Sequence, residues 1–175
     1  MLKIIAAVVA ALVALVLALA VMKPAEFSVK RSVMIKAPPE KAFALANDFH
    51  NWAQWSPWEK LDTTMKKTYG GPATGVGATY EWVGNSKVGA GRMEITESVP
   101  SSKVLLKLDF TAPMAVNTMT EITFAPKGEM TEVTWHYFGP NTFLSKVMAV
   151  FISMDKMVGG DFERGLGNMK VAAEK

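Results

Sequence analysis

Six short β-type segments follow one another from Thr63 to Phe138, with no room for a helix between any two of them. They are Thr63–Tyr69, Ala78–Val83, Arg92–Val99, Val104–Phe110, Thr118–Ala125 and Glu132–Phe138. Each is rich in β-branched or aromatic residues or alternates apolar with polar ones, the pattern of a half-buried strand. The pieces between them, "GGPATGVG", "GNSKVGAG", "PSSK", "TAPMAVN" and "PKGEM", carry the Gly, Pro, Asn and Ser of turns. Parallel neighbours would need a crossover of a dozen or more residues, so the segments must join as antiparallel hairpins.

Two further elements precede this meander. Phe27–Lys36 alternates and predicts a first strand. "APPEKAFALAND" then predicts a short helix. Pro39 suits its first turn, where a missing N–H costs nothing, and Glu40 complements its positive end. A second short helix carries Phe49, Trp52 and Trp55 and stops near Trp55, because the residue before Pro57 is pushed out of helical angles. After the last strand, "TFLSKVMAVFISMDKM" leads into "VGGDFERGLGNMKVAAEK". There Val158, Phe162, Leu166 and Met169 recur at helical spacing. A sheet with one apolar face needs a cover, and this helical tail is the only element large enough. The expected class is α+β: a curved antiparallel sheet of about seven strands wrapped round a long C-terminal helix, with two short helices after strand 1.

The start of the chain is different in kind. Ile4–Met22 is an unbroken apolar run flanked by Lys3 and Lys23. As a helix it is roughly 28 Å long, close to the thickness of a bilayer's hydrocarbon core. We therefore divide the chain into residues 1–23, a transmembrane anchor, and residues 24–175, a ligand-binding domain. A cleaved signal peptide is the rival, with Ala18-Leu19-Ala20 as its cleavage site. The run is long for a signal peptide's apolar core and continues past that site, which favours an uncleaved single-pass anchor in the inner membrane. Lys23, Lys30 and Arg31 after the run favour a cytoplasmic domain by charge. The very short stretch before the run resembles a signal-anchor, and on that ground the periplasmic or outer face is preferred.

Composition narrows the partners. Of 19 basic residues against 16 acidic ones, Lys3 and Lys23 belong to the anchor's flanks, so the domain is nearly neutral. Its basic residues form no stripe, which argues against nucleic acid. With no cysteine and two histidines lacking HxxxH or HExxH spacing, no metal site is expected, and no cofactor. There is no GxSxG of a hydrolase, and "GGPATGVGATY" lacks the Gly-Lys-Ser/Thr of a phosphate loop, so it is a turn.

The order of elements resembles the helix-grip fold of the START/SRPBCC superfamily. The residues that carry the likeness are "RSVMIKAPPEKAFALANDFHNWAQWSPW", "MEITESVP", "TEVTWHYFG" and "GGDFERGLGNMKVAAE", spanning Phe27 to Glu174. "APPEKAF" with "WSPW" near the start and "DFERGL" near the end are similar to the bacterial polyketide cyclase/dehydrase-like branch. The resemblance implies a cavity between sheet and long helix that takes an apolar ligand.

Strand parity is an independent reading, since residues i and i+2 share a face. Taking the more apolar face as inward, the cavity side carries Tyr80, Trp82, Met93, Ile95, Glu97, Leu106, Leu108, Phe110, Thr118, Thr120, Trp135 and Tyr137, with Val104, Ile122, Phe124 and Val133. Trp58, Met154, Met157 and Phe162 complete the expected ligand-binding set. Met148, Met154, Met157 and Met169 lie along the covering tail, and flexible methionine suits a surface that adapts to several apolar shapes. Gly159-Gly160 would permit a kink or a close approach there. Glu97 is the one inward carboxylate, and a rim position touching water is the plain reading for it. His136 points outward by parity, while His50 caps or packs at the helix junction. Asp161, Glu163 and Arg164 form the tail's solvated face. Were the protein an enzyme, Glu97, His136 and Tyr137 would be its candidates, with Tyr80 beside them.

Three functions remain. The first is a membrane-anchored pocket protein binding or transporting a hydrophobic, lipid-like molecule, without catalysis. The second is a cyclase or dehydratase acting on an aromatic or polyketide-like substrate. The third is a protein-interaction module of co-chaperone type, whose contacts lie outside the cavity.

Overall fold

A computed structural model describes residues 1–175 and contains the expected α+β architecture. An N-terminal helix α1 (Leu2–Val21) precedes strand β1 (Glu26–Ile35) and helix α2 (Pro39–Asn47). Two 3₁₀ turns, Phe49–Gln54 and Pro57–Lys60, stand where one further short helix was expected. Then come β2 (Lys66–Gly70), β3 (Thr79–Val83), β4 (Ala90–Val99), β5 (Lys103–Ala112), β6 (Val116–Lys127) and β7 (Met130–Pro140). Helices α3 (Phe143–Phe151) and α4 (Met154–Ala173) close the chain.

The seven strands form one antiparallel sheet in the order β1-β7-β6-β5-β4-β3-β2. The first strand thus returns beside the last, as a helix-grip fold requires. β2 starts at Lys66, later than its sequence pattern suggests. The Asp62 carboxylate accepts hydrogen bonds from Thr64 N at 2.9 Å and Thr64 Oγ1 at 2.7 Å, and so folds Asp62–Thr64 into a turn.

Helix α4 packs across the sheet's inner face with Phe162, Leu166 and Met169 buried. Arg31 of β1 clamps its N-terminal half. The guanidinium donates to Asp155 at 2.8 Å and 3.1 Å and to Glu163 at 2.7 Å, one face of the helix two turns apart. These carboxylates push the Arg31 pKa up, while Arg31 holds Asp155 below the usual carboxylate range. Gly159 lies under this guanidinium, and a Cβ there would fall 2.4 Å from Arg31 Nη2. The glycine therefore serves close approach, not a kink, and α4 runs unbroken through it.

The tail's real break is at Ile152-Ser153. Ile152 is extended, and the Ser153 hydroxyl caps α4 by accepting from Lys156 N at 3.3 Å. The chain therefore splits into α3, none of whose residues is buried, and α4, which carries the core.

Antiparallel pairing gives the sheet two distinct ends. One gathers the start of β1, the end of β7 and the hairpins β3–β4 and β5–β6. Asn141, after β7, donates from its backbone to Ala25 O at 2.7 Å and from its side chain to Pro24 O at 3.1 Å. Helices α1 and α3 therefore leave the domain side by side at this end. There Leu12, Val13, Val16 and Leu17 of α1 face Val147 and Phe151 of α3 across a shallow apolar groove. At the opposite end α2 and the first 3₁₀ turn close the domain. α1 is the one helix long and apolar enough to cross a membrane, with a mean hydropathy of 3.2.

Candidate functional site

A cavity of about 340 Å³ lies between the sheet, the 3₁₀ turns and the first half of α4. Fifteen of its 22 lining residues are hydrophobic, which makes it an apolar pocket with few polar points. Its floor is made of buried side chains, among them Trp52, Met65 and Trp135. Its mouth is marked by the lining residues that reach solvent: Ser86 and Lys87 of the β3–β4 hairpin, Pro113 after β5, and Met157 of α4. The mouth therefore opens at the end of the sheet that carries α1 and α3.

The floor begins with the tryptophans of "NWAQWSPWEK". Trp52 Nε1 donates to Ala46 O at 3.1 Å and Trp55 Nε1 to Leu45 O at 2.9 Å, so both rings are buried with their polar atoms satisfied. Trp55 meets Trp135 edge-on at 5.0 Å, and Trp58 meets the same ring edge-on at 5.7 Å. Trp135 stacks flat on Phe162 of α4 at 4.2 Å. The three tryptophans form no ladder; the strand tryptophan joins them. Trp55 is packing alone, whereas Trp58, half-buried, lines the cavity together with Trp52.

Of the residues expected to bind ligand, Trp58, Tyr80, Trp82, Met93, Leu108, Phe110, Thr120, Trp135, Tyr137, Met157 and Phe162 line the cavity. Ile95, Leu106 and Thr118 are on the expected face but lie outside the lining, buried in the core. Met154 packs half-buried against that core. Met169 is fully buried in it, and Met148 lies on α3, away from the cavity.

Glu97 is the clear correction. The pairing of β4 with β5 shifts register between Ile95 and Glu97, a bulge that reverses the alternation beyond it. Glu97 consequently turns out of the cavity and pairs with Lys103 at 2.7 Å. β7 carries no such bulge, so His136 stays on the outer face, 2.9 Å from Ser28 Oγ. Partial burial, with Lys30 nearby, lowers the His136 pKa. His50 bonds Asp48 through Nδ1 at 2.9 Å and stacks on Tyr69. Of the expected solvated triad, Glu163 belongs to the Arg31 clamp, and Arg164 pairs with Asp161.

One polar side chain of the cavity was not among the residues expected there. Glu59, on the second 3₁₀ turn, lines the cavity with its side chain only 7% exposed. Its carboxylate accepts from Tyr80 Oη at 2.7 Å and from the Lys67 ammonium. Burial, reinforced by this carboxylate, pushes the Tyr80 phenol far above its ordinary value, so it stays protonated. Burial also raises Tyr137, which has no carboxylate partner. Parity reasoning covers strands and could not reach Glu59. The available signal was its place beside Trp58, after the Ser-Pro break.

The other polar groups are mostly spent on structure. Trp135 Nε1 donates to Thr120 Oγ1 at 2.7 Å, and Thr120 donates to His136 O at 3.2 Å. Trp82 Nε1 donates to Val88 O at 3.0 Å, tying the mouth hairpin to the wall. No three His, Asp or Glu side chains stand close enough to hold a metal ion.

The fold recurs in solved structures. Protein SA2116 from Staphylococcus aureus, of unknown function, superposes with a TM-score of 0.62 at 17% identity, covering 85% of this chain and 94% of that one. Protein CV1439 from Chromobacterium violaceum gives 0.59 at 16%, covering 85% and 97%. The di-domain ARO/CYC BexL of the BE-7585A biosynthetic pathway gives 0.64 at 14%, covering 90% of this chain and 53% of BexL. At these identities the likeness is one of fold. No curated protein matches the sequence. Residues 26–174, the whole domain without α1, match the family described as polyketide cyclase / dehydrase and lipid transport, and the chain belongs to that family.

Proposed function

We propose that the protein is a membrane-anchored pocket protein that binds or transports a hydrophobic, lipid-like small molecule. The observation that carries this reading is the cavity itself: aromatic and aliphatic walls, an open mouth and few polar points, chief among them the Glu59–Tyr80 pair. Register puts Tyr80 opposite Met93 and Trp82 opposite Gly91, so the polar point lies deeper than the Trp82 ring. An apolar body with one hydroxyl or carbonyl fits such walls. The packing of α1 on α3, with Ala20 fully buried, supports an uncleaved anchor over a removed leader. The domain faces the periplasmic or outer side, and protease added to intact spheroplasts should therefore digest it. Lipid analysis of the full-length protein extracted from membranes tests the binding itself. A recurrent apolar molecule is expected, and a consistently empty cavity sinks the reading.

One observation favours a second reading, a cyclase or dehydratase. Glu59 and Tyr80 are two titratable groups in hydrogen-bond contact inside the cavity. A protonated phenol can donate to a substrate oxygen while a carboxylate withdraws a proton. Glu59→Gln separates the readings. Turnover of an aromatic polyketide-like substrate would collapse in this variant, whereas simple lipid binding would persist.

A further inference from the structure

The tail was expected to cover the cavity along its whole length, yet α3 covers nothing. Phe143, Leu144, Met148 and Phe151 are exposed, by 59%, 55%, 42% and 73%, and Ile152 beyond them is 44% exposed. An amphipathic helix normally buries such a face. The main partner α3 finds is α1, which takes Val147 and the inner edge of Phe151 and leaves Leu144 and Met148 bare. The unpartnered surface is therefore continuous with the helix proposed to cross the membrane.

Position and charge point the same way. The α1 residues facing α3 run from Leu12 to Leu17, and Val21 ends that helix. At about 1.5 Å per residue the contact lies roughly 6–14 Å below the anchor's domain-side end. Helices that lie in the plane of a membrane interface sit about 5–10 Å deep. Lys146 is the only charged residue of α3, and Lys87 stands at the cavity mouth. Of the acids near this end, Asp155 is bound by Arg31, which leaves Glu26, opposite Pro140, against Lys23, Lys87 and Lys146. An interface with anionic headgroups suits this balance.

We infer that α3 is an interfacial helix embedded in the bilayer beside α1, so that the cavity mouth opens onto lipid and the ligand passes between bilayer and cavity without crossing water. The inference rests on the anchored reading above. It adds a second membrane contact and gives the mouth a direction. Met157, at the lip, and Met114, on the β5–β6 turn at the same end, are exposed apolar residues that extend the surface toward the mouth.

The chain has no cysteine, so single cysteines report cleanly. Full-length Leu144→Cys, Met148→Cys, Val9→Cys and Glu129→Cys are each labelled with a polarity-sensitive fluorophore. They are reconstituted into phosphatidylethanolamine–phosphatidylglycerol vesicles containing brominated phosphatidylcholine as quencher. The expected result is quenching at 144 and 148 comparable to that at 9, and none at 129, which lies at the far end of the sheet. Quenching at 9 without quenching at 144 and 148 overturns the interfacial helix but leaves the anchor standing, and covers the case in which α3 docks on a second copy. No quenching at 9 overturns the anchored reading and this inference with it. As a second arm, the double variant Leu144→Glu, Met148→Glu should load a dye-labelled fatty acid to the same occupancy as the parent but release it to vesicles several-fold more slowly. Equal release rates would overturn the inference.

Discussion

The two ends of the domain use the same residue types for opposite purposes. At the closed end, Trp52, Trp55 and Phe49 are at most 4% exposed, and both indole N–H groups have backbone partners. At the open end, Phe143, Leu144, Met148 and Phe151 stand in solvent with no core to enter. Large apolar side chains at the first end hold the fold together. At the second they contribute little to folding, and their exposure calls for a partner outside the domain.

The contrast can be broken from either end. Trp55→Ala should have the largest effect, about 3–5 kcal/mol of lost stability, because it empties a fully buried site. Urea unfolding measures it, and a loss under 1 kcal/mol would mean the closed end is loosely packed. Gly165→Ala comes next. Its Cβ would fall 2.8 Å from Trp135 Cζ3 and 3.1 Å from Pro57, and overpacking of this kind costs about 1–3 kcal/mol. Leu144→Ser at the open end should shift stability by no more than about 0.5 kcal/mol, the range of ordinary surface changes. A larger loss in the same urea experiment would show that α3 belongs to the core after all.

The smallest effect is a pH dependence. His136 has its pKa lowered by burial first and by Lys30 second, so the folded protein prefers the neutral ring. As pH falls, the unfolded chain takes up its proton first, near 6.5. Stability is therefore full above that value and declines as pH drops from it toward the folded pKa. Urea midpoints at pH 7.5 and 5.5 should show the decline, and His136→Gln should reduce it. An unchanged slope in the variant would remove His136 from the account.

The buried faces of the strands were the most legible part of the molecule. Alternation assigned the buried faces of β3 through β7 because a strand half in a core must repeat every second residue. It failed at Thr96, where one extra residue in β4 sent Glu97 outward, and pattern alone cannot see a bulge. It was silent about Glu59, whose turn has no periodicity. Helical spacing in the tail identified Phe162, Leu166 and Met169 correctly, since they meet the sheet. The same kind of spacing in α3 could not say what its apolar face meets. Ser153, followed by Asp155 in the first turn, was a readable helix start that separates the two helices.

A hydrophobic molecule held in the cavity can be seen directly. Native mass spectrometry of the full-length protein detects it, beside a Leu108→Trp variant whose larger side chain projects into the cavity next to Met93. The expected result is a stoichiometric apolar adduct on the parent that is lost from the variant while the fold is retained. An adduct-free parent, or the same adduct on the filled variant, would contradict it.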